Sequence, residues 1–432
     1  MTDPASPKPP ARPSRRDCLG AAATLPLAGA AACATAAPVS APPADYAALP
    51  ALEDFADIEG VYLNAGSVHP FSRGARAAVN DYLTSRSMSG APEDYAIEEI
   101  EVEVRELYAQ LINASTNEIA FIQSTSAGEQ MAVRAVGLPE AGGRVVTDAL
   151  HFFGSWHLYN ELQDQGVEIV VLPMRDNAIS MDDLEAAVNA DTRLVSVSAV
   201  STINGFEHDL KTVADIAHAR GAKVYVDAVH ATGAVPLDVR ASGVDLMSSS
   251  SYKWLMGDMG LGFMFARADI IPELRRPQAG YYQVAAIQTH LYPHDPPGDT
   301  FAETRARDDA EGLFAMGTTA HTVAAHLRYS LGYIHRVGVE RIQAYRQPLL
   351  DRVKREVPAI NPTFEPLTPD DCRSSMVAFA YEDARQKLGG HFREAGVEVS
   401  FSRHRFRVSA SVFNTMADID RFLEVLSDAP RA

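Results

Sequence analysis

The feature that most constrains this chain is a rhythm beginning at Glu118. Short apolar runs alternate with stretches long enough for helices. The runs are Ile119–Ile122, Arg144–Thr147, Glu168–Leu172, Leu194–Val200 and Val224–Val226. Between them lie helical segments such as Leu210–Arg220, closed by Gly221 as a C-cap. Strands that alternate with helices imply a mostly parallel sheet covered on both faces. In such sheets ligands sit beyond the carboxyl ends of the strands. The residues that follow each strand are therefore where chemistry is sought.

Ile119–Ile122 is followed by Gln123-Ser124-Thr125-Ser126-Ala127-Gly128-Glu129. Small hydroxylated residues and a glycine ahead of a helix leave N–H groups at a positive helix end, which suits a phosphate. The run is neither the dinucleotide GxGxxG nor a P-loop, and an ordinary capped helix reads the same way. Arg144–Thr147 leads into Asp148-Ala149-Leu150-His151-Phe152-Phe153, where a ring is placed to stack on a flat heteroaromatic ligand. His151 as a satisfied loop residue is the alternative. Ser201, Thr202 and Asn204 follow Leu194–Val200; they suit a ligand edge and are equally at home in turns. Val224–Val226 ends in Asp227-Ala228-Val229-His230. A carboxylate closing a buried strand needs a cationic partner. A protonated pyridine nitrogen supplies one, and His230 then lies near the neighbouring ring oxygen.

The stretch Asp245–Phe265 holds a single lysine, Lys253, after a serine run and Tyr252 and before Gly257, Gly260 and Gly262. An ammonium in an apolar segment is costly unless paired or neutralised. Lysines in such places have depressed pKa values and act as imine-forming nucleophiles; a solvated loop lysine is the bland alternative. A phosphate cradle, a stacking ring, a buried aspartate and a lysine, in that order, are what pyridoxal 5'-phosphate requires. In that reading Asp227 keeps the ring nitrogen protonated. Lys253, a Schiff base at rest, shuttles the proton at the substrate Cα once an incoming amine has formed the external aldimine.

The remainder frames this centre. Ser14-Arg15-Arg16-Asp17-Cys18-Leu19 precedes an alanine-rich run to Ala32, which reads as a twin-arginine signal peptide and predicts export to the periplasm by the twin-arginine machinery. Cys33 stands as a lipidation candidate, although alanine occupies the usual leucine place. With three cysteines in 432 residues, no disulfide framework or cysteine metal site can be built, and no metal site is expected. A net charge of -18 argues against nucleic acid or an anionic membrane as partner. Ala34–Pro50 reads as a linker. Ile97, Ile100, Val104, Leu107 and Leu111 share one helical face. Pro293–Asp299 reads as a surface loop, and a long helix is expected over 320–337. Beyond it come a strand at Met376–Tyr381, a helix near Ala384–Ala395, strands at Val397–Ser400 and Phe406–Ser409, and a last helix with Thr415 and Asp418 as capping box.

From Tyr62 to Leu426 the chain resembles fold-type I pyridoxal-phosphate enzymes of the class V aminotransferase family, which includes cysteine desulfurases and isopenicillin N epimerase-like proteins. Tyr62-Leu63-Asn64, VDAVHATG around Asp227 and SSSYK before Lys253 carry the resemblance. It implies an α/β fold: a large domain with a mostly parallel seven-stranded sheet between helices (41–315, after a signal and linker at 1–40) and a smaller C-terminal α+β domain (316–432). It places Ser126, Ala127 and Gly128 at the phosphate loop, His151 against the ring, Ser201 near the ring oxygen where asparagine is common, and Ser250 and Tyr252 at the phosphate. Gly317-Thr318 is similar to a pair that reaches the phosphate of a neighbouring subunit, implying a homodimer with shared active sites. Arg407 matches the arginine that grips a substrate α-carboxylate, for which a guanidinium fork is suited. The implied catalytic set is Lys253, Asp227 and His151, acting on an amino-acid-like amine in amino transfer or epimerisation. Elimination of the C–S lyase or desulfurase kind, or a binding protein that kept the fold, are the alternatives. Cysteine desulfurases carry a nucleophilic cysteine on a mobile loop just ahead of the Arg407 position, and Gly396–Arg405 has none.

Overall fold

The structure is a computed structural model that describes residues 48–88 and 96–429. The twin-arginine segment, most of the linker and Cys33 lie outside the described residues. The chain enters through β1 (Val61–Tyr62) and then builds one sheet from β2 (Ile119–Ile122), β3 (Arg144–Asp148), β4 (Glu168–Leu172), β5 (Thr192–Ser198), β6 (Lys223–Asp227), β7 (Leu246–Ser250) and β8 (Gly262–Ala266). Their order is β2-β8-β7-β6-β5-β3-β4, and only β8 runs against its neighbours. This is the seven-stranded, mostly parallel sheet expected for the family.

Alternation along each strand divides the core. Val224 and Val226 of β6 join one apolar cluster with Val195, Val197, Met247 and Phe263. Tyr225, between them, points to the other face with Leu194, Leu246 and Met264. Helices Ile97–Leu111, Leu210–His218 and His321–Val337 cover the first face, and Thr125–Ala135, Trp156–Asp164 and Ala310–Phe314 cover the second. Both faces are dry, so the strands read as apolar runs rather than alternating ones.

Two strands escaped the reading of the sequence. β7 is leucine, methionine and three serines, and it looks like a loop. It is a buried strand because its hydroxyls are satisfied sideways: Ser248 with Tyr225 at 2.6 Å, Ser249 with Thr232 at 2.6 Å, Ser250 with Thr125 at 2.9 Å. β8 follows a tight reversal and was hidden by its flanking glycines. β5 also starts earlier than expected, at Thr192, and stops at Ser198. The chain turns away there because Ser201 N–H bonds the Phe206 carbonyl and Gly205 N–H bonds that of Ser201.

The C-terminal body has its own core around Phe379, Phe392, Phe406 and Phe422. Its antiparallel strands, including β11 (Glu365–Pro366), β12 (Val377–Ala380), β14 (Ser400–Phe401) and β15 (Arg405–Val408), run in the order β11-β12-β15-β14. β1 pairs in parallel with β13 (Val397–Glu398), and Asn64 bridges to Ser409, so the entering segment is stitched to this body. The last helix, Met416–Ser427, starts at the Thr415/Asp418 capping box read from the sequence. Residues Val284–Ala306 form a separate unit, an antiparallel hairpin of β9 (Val284–Thr289) and β10 (Ala302–Ala306) with Pro293–Asp299 in its connection.

Gly128 shows how tightly the Thr125–Ala135 helix lies on the sheet. A Cβ there would stand 2.5 Å from Ser248 Cβ and 2.8 Å from Ile122 Cδ1. Both neighbours are in the core, so neither can swing away. Gly128→Ala is expected to lower unfolding free energy by about 1–3 kcal/mol, read from a lowered urea midpoint.

Candidate active site

Lys253 sits on the reversal between β7 and β8. Ser251 holds the base of that loop closed: its N–H and hydroxyl both bond the Leu261 carbonyl, at 3.1 and 2.7 Å, and its carbonyl accepts Gly257 N–H. The loop is thereby fixed, and Lys253 is 9% exposed. Its Nζ lies 2.9 Å from His230 Nε2. Trp254 Nε1–H, which can only donate, points at His230 Nδ1 at 3.4 Å. Nδ1 is therefore the lone-pair nitrogen, Nε2 carries the hydrogen, and Lys253 accepts it as a neutral amine. Electrostatics agree. Burial pushes the Lys253 pKa down to about 7, with Asp227 opposing and Arg407 assisting. Burial, with Lys253 and Arg407 nearby, holds His230 well below the usual imidazole range.

Asp227 closes β6 between Ser198 and Ser248 of the flanking strands. It is 4% exposed, yet its carboxylate accepts one hydrogen bond, from Val229 N–H at 3.0 Å. Burial raises its carboxyl above the usual range, while His151 and Lys253 draw it back. No ion pair joins Asp227 to Lys253 among the described residues, although each feels the other's charge. A buried carboxylate with one donor needs a further cationic N–H. A protonated pyridine nitrogen is such a group, so the residues present fit pyridoxal phosphate.

His151 is fully buried. Its Nδ1 lies 2.9 Å from Ser198 Oγ and its Nε2 2.8 Å from Glu129 Oε1. Glu129 also accepts from Ser155 Oγ at 2.5 Å and Tyr159 Oη at 2.5 Å. Sequence reading missed Glu129. The signal was there, a lone acid on a helix face that packs on a sheet, but its partners come from three other elements. Asp148, at the end of β3, pairs with His208 Nε2 at 3.1 Å, also buried.

At the other end, Ser124 caps the Thr125–Ala135 helix, its Oγ accepting Ala127 N–H. Thr125, not singled out from sequence, clamps Ser250: its N–H donates to Ser250 Oγ at 2.8 Å, and Ser250 N–H donates back to Thr125 Oγ1 at 2.9 Å. Ser124, Ser126, Ala127, Gly317 and Thr318 line one cavity of about 520 Å³. Lys253, Asp227 and His151 do not line it. Tyr252 is half-buried, with its ring 5.7 Å from Lys253 Nζ and its hydroxyl unbonded among the described residues.

The turn after β5 serves structure. Ser201 gives its hydroxyl to the Leu150 carbonyl at 2.7 Å, and Ile203 N–H donates to it. It is therefore committed to the protein where a ring contact was expected. Asn204 ties the Asn177 and Leu367 carbonyls together. Thr202 braces Arg407, whose Nη1 bonds its carbonyl at 3.0 Å and its hydroxyl at 2.9 Å, while Nη2 bonds Ser67 Oγ at 3.1 Å. Arg407 is 6% exposed and, among the described residues, has no carboxylate partner within 4 Å and leaves Nε unpaired. A buried guanidinium without a protein anion is poised for one from outside.

Similarity to known proteins accords with this geometry. The family model "Aminotransferase class-V" matches residues 77–422. A probable cysteine desulfurase of Methanothermobacter thermautotrophicus is 28% identical, aligned over 70% of this chain and 73% of its own. Other curated relatives align over about half of their length. Among solved structures, the cysteine desulfurase of Thermococcus onnurineus superposes with a TM-score of 0.73 at 20% identity, covering 85% of this chain and 94% of that one. The cystine C–S lyase C-DES superposes at 0.76 and 16% identity, covering 88% and 100%.

The depressed Lys253 pKa has a direct readout. Below about pH 7 the amine is protonated and unreactive, and above it is free. Labelling of Lys253 in the cofactor-free protein by an amine-selective reagent, followed by peptide mass spectrometry, should rise with a midpoint near 7. A midpoint in the ordinary lysine range would contradict the assigned burial.

Proposed function

The chain belongs to the class V aminotransferase family of pyridoxal-phosphate enzymes, and we propose that it acts on an amino-acid-like amine through proton removal at Cα, ending in amino transfer or epimerisation. The observation that carries this reading is a buried lysine with its pKa pushed down to about 7, set against a half-satisfied buried aspartate, with an arginine that has no anionic partner among the described residues. When bound, pyridoxal phosphate supplies the sink for the electron pair left at Cα. The chain's own residues do the rest. Asp227 keeps a positive charge at the ring nitrogen. His230, whose Nε2–H is given to Lys253 Nζ in the cofactor-free chain, would be the donor available to the ring oxygen once that lysine is engaged. Lys253 Nζ takes and returns the Cα proton, a role for which a pKa near neutrality is suited. Ser126, Ala127 and the Thr125–Ser250 clamp would present the helix N-terminus to the phosphate, and Arg407 would hold the substrate carboxylate.

A desulfurase that works through its own thiolate is not supported. Cys372 is the free cysteine among the described residues; it is buried, and burial pushes its thiol up to about 11. Gly396–Arg405 supplies no other. Elimination from a sulfur-bearing amino acid needs no enzyme thiol and stands as the second reading, favoured by relatives named as desulfurases. We further propose a homodimer sharing its sites through Thr318, supported by the family resemblance and by a phosphate-end cavity lined by Gly317 and Thr318. Export by the twin-arginine route rests on the Arg15-Arg16 segment, and its check is whether the chain reaches the periplasm with that pair intact and stays behind when both are lysine.

The test of the main reading is to add pools of α-amino acids to the loaded protein and follow its absorbance and products. A keto acid, or loss of optical activity with solvent deuterium at Cα, supports it; sulfide with pyruvate moves the assignment to elimination. Borohydride should fix the cofactor irreversibly to wild type and not to Lys253→Ala. Arg407→Ala should raise KM for carboxylate-bearing substrates about tenfold to a hundredfold, the worth of one charged hydrogen-bond set, with cofactor affinity little changed. An unaltered KM would remove Arg407 from the substrate site.

A further inference from the structure

We propose that Glu129 is a positioning residue that holds His151 as a doubly protonated imidazolium beside Asp227, making His151 a fixed positive charge at the cofactor ring instead of a proton carrier. The proposal rests on the reading of Asp227 and His151 as ring neighbours.

Glu129 is 3% exposed, on the second turn of the Thr125–Ala135 helix. Three donors converge on its carboxylate, His151 Nε2, Ser155 Oγ and Tyr159 Oη, while Ser196 Oγ, 3.4 Å from Glu129, lies closer to Tyr159 Oη, at 2.7 Å. A neutral carboxylic acid would have to turn its own hydrogen toward one of these groups, which would then accept where it now donates. The set favours the ionised form: burial opposes it, and the contacts with His151, Ser155 and Tyr159 hold its pKa below the usual range. A buried anion of this kind needs a cation, and among the described residues the only cationic group in contact with it is His151.

The other charges around His151 point the same way. Asp227 stands at the end of β6 and Asp148 at the end of β3, and both favour its protonated form, as Glu129 does, against the burial that opposes it. Asp148 is engaged by His208, whose other nitrogen is held by the Ser198 carbonyl. Tyr159 and Tyr225 remain uncharged, both raised well above the ordinary phenol range, chiefly by burial. Lys253, with its pKa pushed down to about 7, is the one nearby group that opposes this, and it does so increasingly as pH falls below neutrality.

The same geometry stops His151 from moving protons. Its side chain is fully buried and both nitrogens are committed, one to Glu129 and one to Ser198. Neither faces a substrate, so proton work at Cα stays with Lys253. Of the catalytic trio expected from sequence, His151 thus changes role. Glu129 also lines, with Ser126 and Ser155, a separate cleft of about 450 Å³ that Lys253, Asp227 and His230 do not touch. The ion pair can equilibrate its proton with solvent through that cleft without crossing the reaction centre.

Glu129→Gln keeps the shape and removes the charge; Glu129→Asp keeps the charge. With histidine nitrogens labelled, magnetic resonance of the cofactor-free protein should show His151 doubly protonated through neutral pH in wild type. In Glu129→Gln it should titrate at least about one pH unit lower, and Glu129→Asp should recover part of the shift. In the loaded protein, the pH midpoint of the visible cofactor band should move up in Glu129→Gln, because losing a nearby positive charge favours the protonated chromophore. Identical His151 titrations in wild type and Glu129→Gln overturn the proposal. So does a wild-type His151 that is neutral at pH 6, which decides the matter even if the variant does not fold. A wild-type protein that binds no cofactor would instead sink the functional reading and leave the histidine titration standing.

Discussion

The rest of the site is arranged around a carboxylate at the end of β6 that the protein declines to satisfy. Asp227 is sealed from water and receives one backbone donor. A chain of this size can easily supply another; leaving the position open keeps a place for a positive charge brought in from outside. Around that place the chain keeps its own cations in two opposite conditions. Burial pushes the Lys253 pKa down to about 7, and the amine accepts a hydrogen from His230. His151 is kept protonated by Glu129. Both are buried imidazole or amine groups a short way from Asp227, and a single difference separates them: His151 touches a carboxylate and Lys253 does not.

The sheet makes this possible because it brings strand ends from distant parts of the chain to one edge. Ser198, Asp227 and Ser248 are register partners across three adjacent strands. The serines of β7 replace the usual apolar side chains of a buried strand, and each finds a neighbour to bond. Thr125 and Ser250 then lock the Thr125–Ala135 helix to the strand that leads into the Lys253 loop by two reciprocal bonds. Positions of the lysine and of the helix N-terminus are therefore coupled, as a ligand with an aldehyde at one end and a phosphate at the other requires. Arg407 belongs to the C-terminal body, yet it is held by Thr202 and Ser67. The carboxylate site is consequently made of parts from both ends of the chain.

Strand–helix alternation, the helix at Ile97–Leu111, the Thr415/Asp418 cap and the motif residues Asp227 and Lys253 were legible because each rests on local chemistry: apolar period, capping geometry, or a charge placed where burial makes it costly. β7 was not legible, since its polar side chains are tolerable only beside partners far away in sequence. Glu129 was not legible for the same reason: its donors come from three other segments. Ser201 was read as a ligand contact, and its hydroxyl instead ties the turn to Leu150. A short polar residue after a strand is equally suited to either task, and only the fold chooses.

By itself the sequence showed the alternation of strands with helices and the family, and it singled out Lys253 and Asp227, because these follow from pattern and from the rarity of buried charge. Tertiary structure alone decided the protonation of those groups. The pKa of Lys253, the charge of His151 and the readiness of Arg407 depend on desolvation and on distances of a few ångströms between residues far apart along the chain, and no linear spacing encodes those.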